Sequence, residues 1–238
     1  VAYDFDTSDD FAGDIVIQNG MIVVGGNTFN DGDFEFGLVR FDLTGAVDTS
    51  FGNGGHLIVD VGGNGENDYL FSLEALDDGA LIAGGYTIPA DGDADMALAR
   101  FTAAGSLESG FGTGGIVIAD IGTEHNAVYD MAVDGDYVTV GGITYNGTNG
   151  CWDAALGRFA LADGTPDSNF GTNGLAAVAI GGGIENISAI ALSGDAIIAA
   201  GSAVAAGDGG SDFLLARFVL NGTNVELDTT FGQDLDEN

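Results

Sequence analysis

Short apolar runs return along the chain at nearly regular intervals: MIVVGG at 21–26, ALIAGG at 80–85, YVTVGG at 137–142 and AIIAAG at 196–201. Nearly every position in them is apolar and many are β-branched, the pattern of a strand covered on both faces. Each run is read as a strand that ends at its Gly pair. A shorter strand precedes each one across a two- or three-residue turn: DIVI before QNG, LEAL before DDG, DMAV before DGD and AIAL before SGD. Asn-Gly, Asp-Gly and Gly-Asp are hairpin signals because tight hairpin turns need positive φ. A polar loop follows, then a third strand containing LVRF, LARF, LGRF or LARF. After a Gly-bearing turn and a Phe-Gly pair comes a last strand: HLIVDVG, GIVIADIG or GLAAVAIG. No stretch carries a helical period.

The third strand fixes the repeat. Arg40, Arg100, Arg158 and Arg217 are the only cationic Lys or Arg side chains, spaced 60, 58 and 59 residues apart. Each is followed by a Phe-Gly pair, at 51–52, 111–112, 170–171 and 231–232. A unit of about 59 residues is too small to bury a core alone, so the units must stack. Four short antiparallel strands per unit predict an all-β chain, a β-propeller of four blades at about 6–58, 59–118, 119–178 and 179–238. A larger propeller or a β-solenoid is the alternative, although solenoid coils usually have shorter periods and parallel strands. The fourth unit stops at FGQDLDEN without its last strand, and VAYDF at 1–5 matches VIADI at 117–121 in pattern and spacing. Residues 1–5 are therefore expected to complete the last blade. They are expected to close the ring of four blades; the alternative is that, on another molecule, they build a filament by strand donation.

These units resemble the delta-sixty repeat, a bacterial family of propeller-type repeats. SDFLLARF at 211–218, AVDTSFGNGG at 46–55 and SLESGFGTGG at 106–115 carry the likeness, which runs over essentially the whole chain. The fourth unit departs from it at NGTNVELDTTFG, where the turn is longer. The resemblance implies a propeller architecture and a large secreted or surface protein, and it implies no reaction.

Charge narrows the partners. With 37 acids against four arginines the net charge is −33 and the pI about 4.1. Nucleic acid and anionic bilayers would be repelled. A hydrophobic share of 45% separates the chain from acidic disordered proteins. Self-repulsion on this scale calls for a salty or divalent-rich medium, and an extracellular or cell-surface setting fits it. No apolar run reaches the length of a membrane-spanning helix. Cys151 is single, so no intrachain disulfide forms.

Each arginine shares a strand face with apolar residues and so needs a partner. Two acids recur per unit. Glu35, Asp95, Asp153 and Asp212 lie five residues before the arginine, on the opposite face and roughly 16 Å away, out of reach. Asp48, Glu108, Asp167 and Asp228 lie three residues before the Phe of Phe-Gly, after a chain reversal. These turn acids are the expected partners, in the same or the adjacent blade, in ion pairs that support the fold.

Other chemistry is sparse. His56 and His125 occupy non-equivalent positions without neighbours at metal-ligand spacing, and Cys151 has no histidine in a nucleophile pattern. Alternating acids on Gly-containing loops make a candidate Ca²⁺ set: Asp31, Asp33 and Glu35, and Asp91, Asp93 and Asp95. Asn146, Asn186 and Asn221 match glycosylation sequons. Taken together these features predict a non-catalytic structural or protein-interaction module of an extracellular assembly. The alternatives are a carbohydrate- or ligand-binding propeller and a filament subunit.

Overall fold

The computed structural model describes residues 1–5, 8–63, 65–90, 92–121, 125–148, 150–180, 184–204 and 210–232. Its strands form four four-stranded antiparallel sheets, each a simple up-and-down meander in chain order. The first holds β1 (Asp10–Gln18), β2 (Met21–Asn30), β3 (Asp33–Phe41) and β4 (His56–Val59). The second holds β5 (Asn67–Ala75), β6 (Leu81–Ile88), β7 (Asp95–Phe101) and β8 (Ile116–Ala119). The third holds β9 (Asn126–Asp134), β10 (Tyr137–Asn146), β11 (Cys151–Ala160) and β12 (Leu175–Val178). The fourth holds β13 (Ile184–Ser193), β14 (Ala196–Val204), β15 (Asp212–Asn221) and β16 (Asn224–Leu227).

The chain divides into two compact units, residues 1–128 with 162–164, and residues 129–161 with 165–238. In the first, β5 lies across the face of the first sheet against β1, β2 and β3. Val23, Phe36, Leu38, Leu70, Leu73 and Phe101 meet there with no more than 1% of their surface exposed. In the second, β13 packs on β10 and β11, and Leu156, Phe170, Ile187 and Phe218 form the core. Burial of both faces explains why the second and third strands of a unit read as continuous apolar runs.

The Gly pairs play a different part from the one the sequence predicts. They do not end the second strand; β2, β6 and β10 run straight through them, as β14 does through Ala200-Gly201. The first strand carries a β-bulge opposite the pair, between Ala12 and Asp14, Leu70 and Ser72, and Ile187 and Ala189. A Cβ on Gly26, Gly85 or Gly201 would run into the carbonyl oxygen of Phe11, Tyr69 or Asn186 on that strand. The second glycine therefore makes room for a bulged neighbour.

The fourth sheet differs from the other three. In those, the outer strand pairs with residues 36–39, 96–99 and 154–157 of the third strand. Counted from the arginine, the matching segment of β15 is 213–216. β16 pairs elsewhere, Phe218 with Leu227 through Asn221 with Asn224. The sequence predicts no strand there: the lengthened turn NGTN closes as a hairpin, with Gly222 at φ 67°, and makes one. Residues 213–216 pair with β14, but among the described residues no outer strand pairs with them, and Phe213 is fully exposed where its counterpart Phe36 is fully buried.

Residues 1–5 form no strand. Their contacts within the first unit nonetheless match those of outer strands. A Cβ on Gly45 would meet Val1, as one on Gly105 would meet Leu57 and one on Gly164 would meet Val117. The Phe5 amide donates to Asp10 at 3.1 Å, as the Val61 amide does to Asp68 at 2.5 Å.

Candidate functional site

Each third strand delivers its arginine to the same local arrangement. The turn after it brings the acid back across the strand. The amides of Asp48, Glu108, Asp167 and Asp228 donate to the carbonyls of Arg40, Arg100, Arg158 and Arg217 at 2.8–2.9 Å. Carboxylate and guanidinium then face each other within one sheet. Nε of Arg40, Arg158 and Arg217 donates to the aspartate at 2.8, 2.6 and 2.7 Å. Arg100 Nε lies 3.1 Å from Glu108. The structure thus brings all eight sequence-predicted residues together, pair by pair, in the same blade. The acid also turns the chain: the amides of Phe51, Phe111, Phe170 and Phe231 donate to its carbonyl. Three of the four guanidiniums lie over that Phe ring, at 4.5 Å for Arg40, 5.0 Å for Arg158 and 4.9 Å for Arg217.

The Gly of Phe-Gly completes the clasp. Gly52, Gly112 and Gly171 have φ of 52–56°, and a Cβ there would strike the carbonyl of His56, Ile116 or Leu175. Their amides donate to carbonyls on the following third-strand turn, those of Ala104, Asp163 and Thr223.

The guanidiniums differ in their remaining partners, which the sequence did not reveal. Arg40 Nη1 donates to Gln18 Oε1 and the Ala103 carbonyl, both at 2.7 Å. Arg100 Nη2 reaches Asp78 at 3.1 Å. The signal for Asp78 was the hairpin turn DDG, which read only as turn chemistry.

Several carboxylates hold depressed pKa values. Asp48 lies below the usual range through the Ser50 hydroxyl and amide and then Arg40. For Asp167, burial pushes upward, but the Asn169 amide and Arg158 outweigh it and the net shift is downward. Asp228 is lowered to about 2 by the Thr230 hydroxyl, Arg217 and the Thr230 amide.

The candidate metal set behaves differently. Asp33 and Glu35 lie at the start of β3 and are buried. Burial raises both, with Asp60 and Asp31 adding to Asp33; Asn30 pulls Glu35 down while Asp33, Asp60 and Asp68 push it up. Asp68, also raised by burial, accepts the amides of Val61 and Gly62. Asp31 sits in the turn before β3 at φ 53°. Asp93 lies 3.6 Å from His125, Asp95 pairs with Thr87 across β6 and β7, and Asp91 is outside the described residues. Among the described residues no three His, Cys, Asp or Glu side chains are arranged to hold a metal ion.

Asn146 ends β10 and donates to Asp153 at 2.7 Å, Asn186 lies within β13 with a buried Oδ1, and Asn221 sits exposed at the β15–β16 hairpin beside Glu226. His56 Nδ1 lies 2.6 Å from the Tyr3 hydroxyl, and Cys151 opens β11 outside any disulfide.

Residues 18–51 and 76–111 match a family described as a domain of unknown function (DUF5122) beta-propeller. Both stretches run from the inner hairpin to the clasp phenylalanine. No curated protein matches the chain. Among solved structures it is similar to a GH43 endo-arabinanase from Bacillus licheniformis, at 16% identity and a TM-score of 0.49, over 91% of this chain and 76% of that one. It is also similar to an alpha-L-arabinanase from Cellvibrio cellulosa, at 11% identity and a TM-score of 0.45, with the same coverage. The propeller-domain match and the four antiparallel four-stranded sheets make this an all-β chain of propeller-type blades.

Proposed function

We propose that the chain is a non-catalytic, acidic interaction module of an extracellular assembly, and that it joins a second copy by strand addition at the β15 edge. One observation carries the reading. Residues 213–216 pair with β14 on one side, but among the described residues no strand pairs with them on the other, and Phe213 and Leu215 are 104% and 61% exposed. Their counterparts Phe36, Leu38, Met96 and Leu98 are buried to 1% or less under an outer strand. An unpaired edge with apolar side chains is a template for an extended segment.

The occupant is the 1–5 segment of the second copy. It has the outer-strand pattern: Val1 meets Gly45 as Leu57 of β4 meets Gly105, and the Phe5 amide reaches Asp10 as that of Val61, just after β4, reaches Asp68. The net charge of −33 opposes association, so screening by salt is part of the design, and a saline exterior suits it.

Sedimentation velocity of the full chain in molar salt tests this. Mass should grow with concentration, and either deletion of residues 1–5 or Leu215→Lys should return the monomer. A full chain that stays monomeric at all concentrations would overturn the proposal. So would a deletion that lowers stability without changing size.

A further inference from the structure

The second unit contains a cavity of about 250 Å³ beside the Arg158 clasp. It exists because the fourth blade departs from the repeat. In the first unit Arg40 Nη1 is satisfied by Gln18 and by the carbonyl three residues after Arg100. The position matching Gln18 is Asp134, and the matching turn residue is Leu220. There the chain continues into the β15–β16 hairpin, where Leu220 pairs with Val225. The arginine-to-acid interval grows from 8 residues at Arg40 to 11 at Arg217, and the clasp carbonyl moves out to Thr223. Arg158 is left holding Asp167 through Nε and Nη2, while Nη1 has no protein acceptor among the described residues. Arg158 lines the cavity.

The surroundings select the ligand. Tyr137, 37% exposed, lies under the guanidinium, 5.3 Å from its centre. Asp134 and Asp195 stand exposed at the mouth, and Leu220 and Val225 form an apolar wall. An anion would meet two carboxylates and a net charge of −33; a cation would meet the guanidinium at the floor. A neutral ring that is apolar on its C–H face and hydroxylated at its rim suits both halves. We propose that this cavity binds one neutral sugar residue. Arg158 Nη1 donates to a ring or hydroxyl oxygen, Asp134 and Asp195 accept from hydroxyls, and the hairpin wall takes the C–H face. Strand addition at β15 does not depend on this site.

Saturation-transfer NMR on the full chain, with neutral methyl hexosides and methyl pentosides at millimolar concentration, tests it. At least one glycoside should show transfer, undiminished by sodium acetate. Val225→Trp, which fills the cavity, and Arg158→Lys, which withdraws the Nη1 edge, should each weaken binding about tenfold. Melting curves for Val225→Trp should keep the parent midpoint, so the loss is separable from unfolding. Transfer from no glycoside, binding unchanged in Val225→Trp, or displacement by acetate would overturn the proposal.

Discussion

Replacing Arg158 by alanine probes the clasp most directly, because its acid is the most deeply buried of the four. The side chain of Asp167 is 4% exposed and that of Arg158 is 23% exposed. Removing one member of a buried ion pair costs about 3–5 kcal/mol, most of it the charge left behind. Two features reduce the figure here. Asp167 Oδ1 keeps the Asn169 amide at 2.9 Å and its side-chain Nδ2 at 3.3 Å, and the guanidinium is partly solvated. Loss of the stacking on Tyr137 and Phe170 adds back up to about 1 kcal/mol. The expected loss is about 2–3 kcal/mol. Arg217→Ala should cost less, since its side chain is 36% exposed.

Urea unfolding followed by Trp152 reports on the relevant unit, because that residue shares β11 with Arg158. A cycle with Asp167→Ala isolates the pair: the double variant should be less damaged than the two single losses added together. A loss under about 0.5 kcal/mol for Arg158→Ala, with no coupling in the cycle, would refute the reasoning.

Three further outcomes follow from charge and burial. Asp33, Glu35 and Asp68 have raised pKa values, so the folded state holds more protons than the unfolded one; their contribution is present at low pH and is lost as pH rises through their folded values. Asp48, Asp167 and Asp228 act oppositely, and their contribution is lost as pH falls below the ordinary aspartate value towards the value of about 2 at Asp228. Melting temperature should therefore peak in mild acid, and a profile flat from pH 7 to pH 3 would contradict this. Glu35→Gln should raise the melting temperature at pH 7 and flatten the upper limb of that profile; a fall at pH 7 would count against burial as the cause. Thermal midpoints should climb from dilute buffer to molar NaCl, because 37 acids face four arginines; equal midpoints would sink the screening account.

Much of this was legible in the sequence because repetition converts weak signals into a register. One Phe-Gly says little, but four at a fixed distance after an arginine locate the strand, the turn and the acid together. What stayed hidden depends on contacts between strands, within a sheet and from one sheet to the next. Gly26 and Gly85 read as strand ends, because nothing local announces the bulged carbonyls of Phe11 and Tyr69 pressing on them. Asp68 was one acid among 37 until the fold buried it against the Val61 and Gly62 amides. Gln18 as a second arginine partner required the hairpin to place it 22 residues from Arg40.

The fourth blade shows how far the repeat can be relaxed without losing the clasp. Its turn gains three residues over the first, yet the Asp228 amide still donates to the Arg217 carbonyl and the Gly171 amide still finds a turn carbonyl, that of Thr223. The clasp constrains only the two ends of the turn, so the residues between are free to form a hairpin. That freedom has a consequence one blade earlier. Arg40 shows what a guanidinium does when the neighbouring turn is short: every donor edge finds an acceptor. Arg158 shows what happens when the turn is long: the ion pair survives and Nη1 has no acceptor among the described residues. Shortening NGTN to the length of the first blade's turn should therefore return a carbonyl to Arg158 Nη1 and close the cavity. Stability should hold or rise as glycoside binding disappears, because the deletion supplies Nη1 with an acceptor that it lacks among the parent's described residues. A shortened variant that still binds sugar would place the ligand elsewhere; one that loses stability would show that the hairpin supports the fourth sheet.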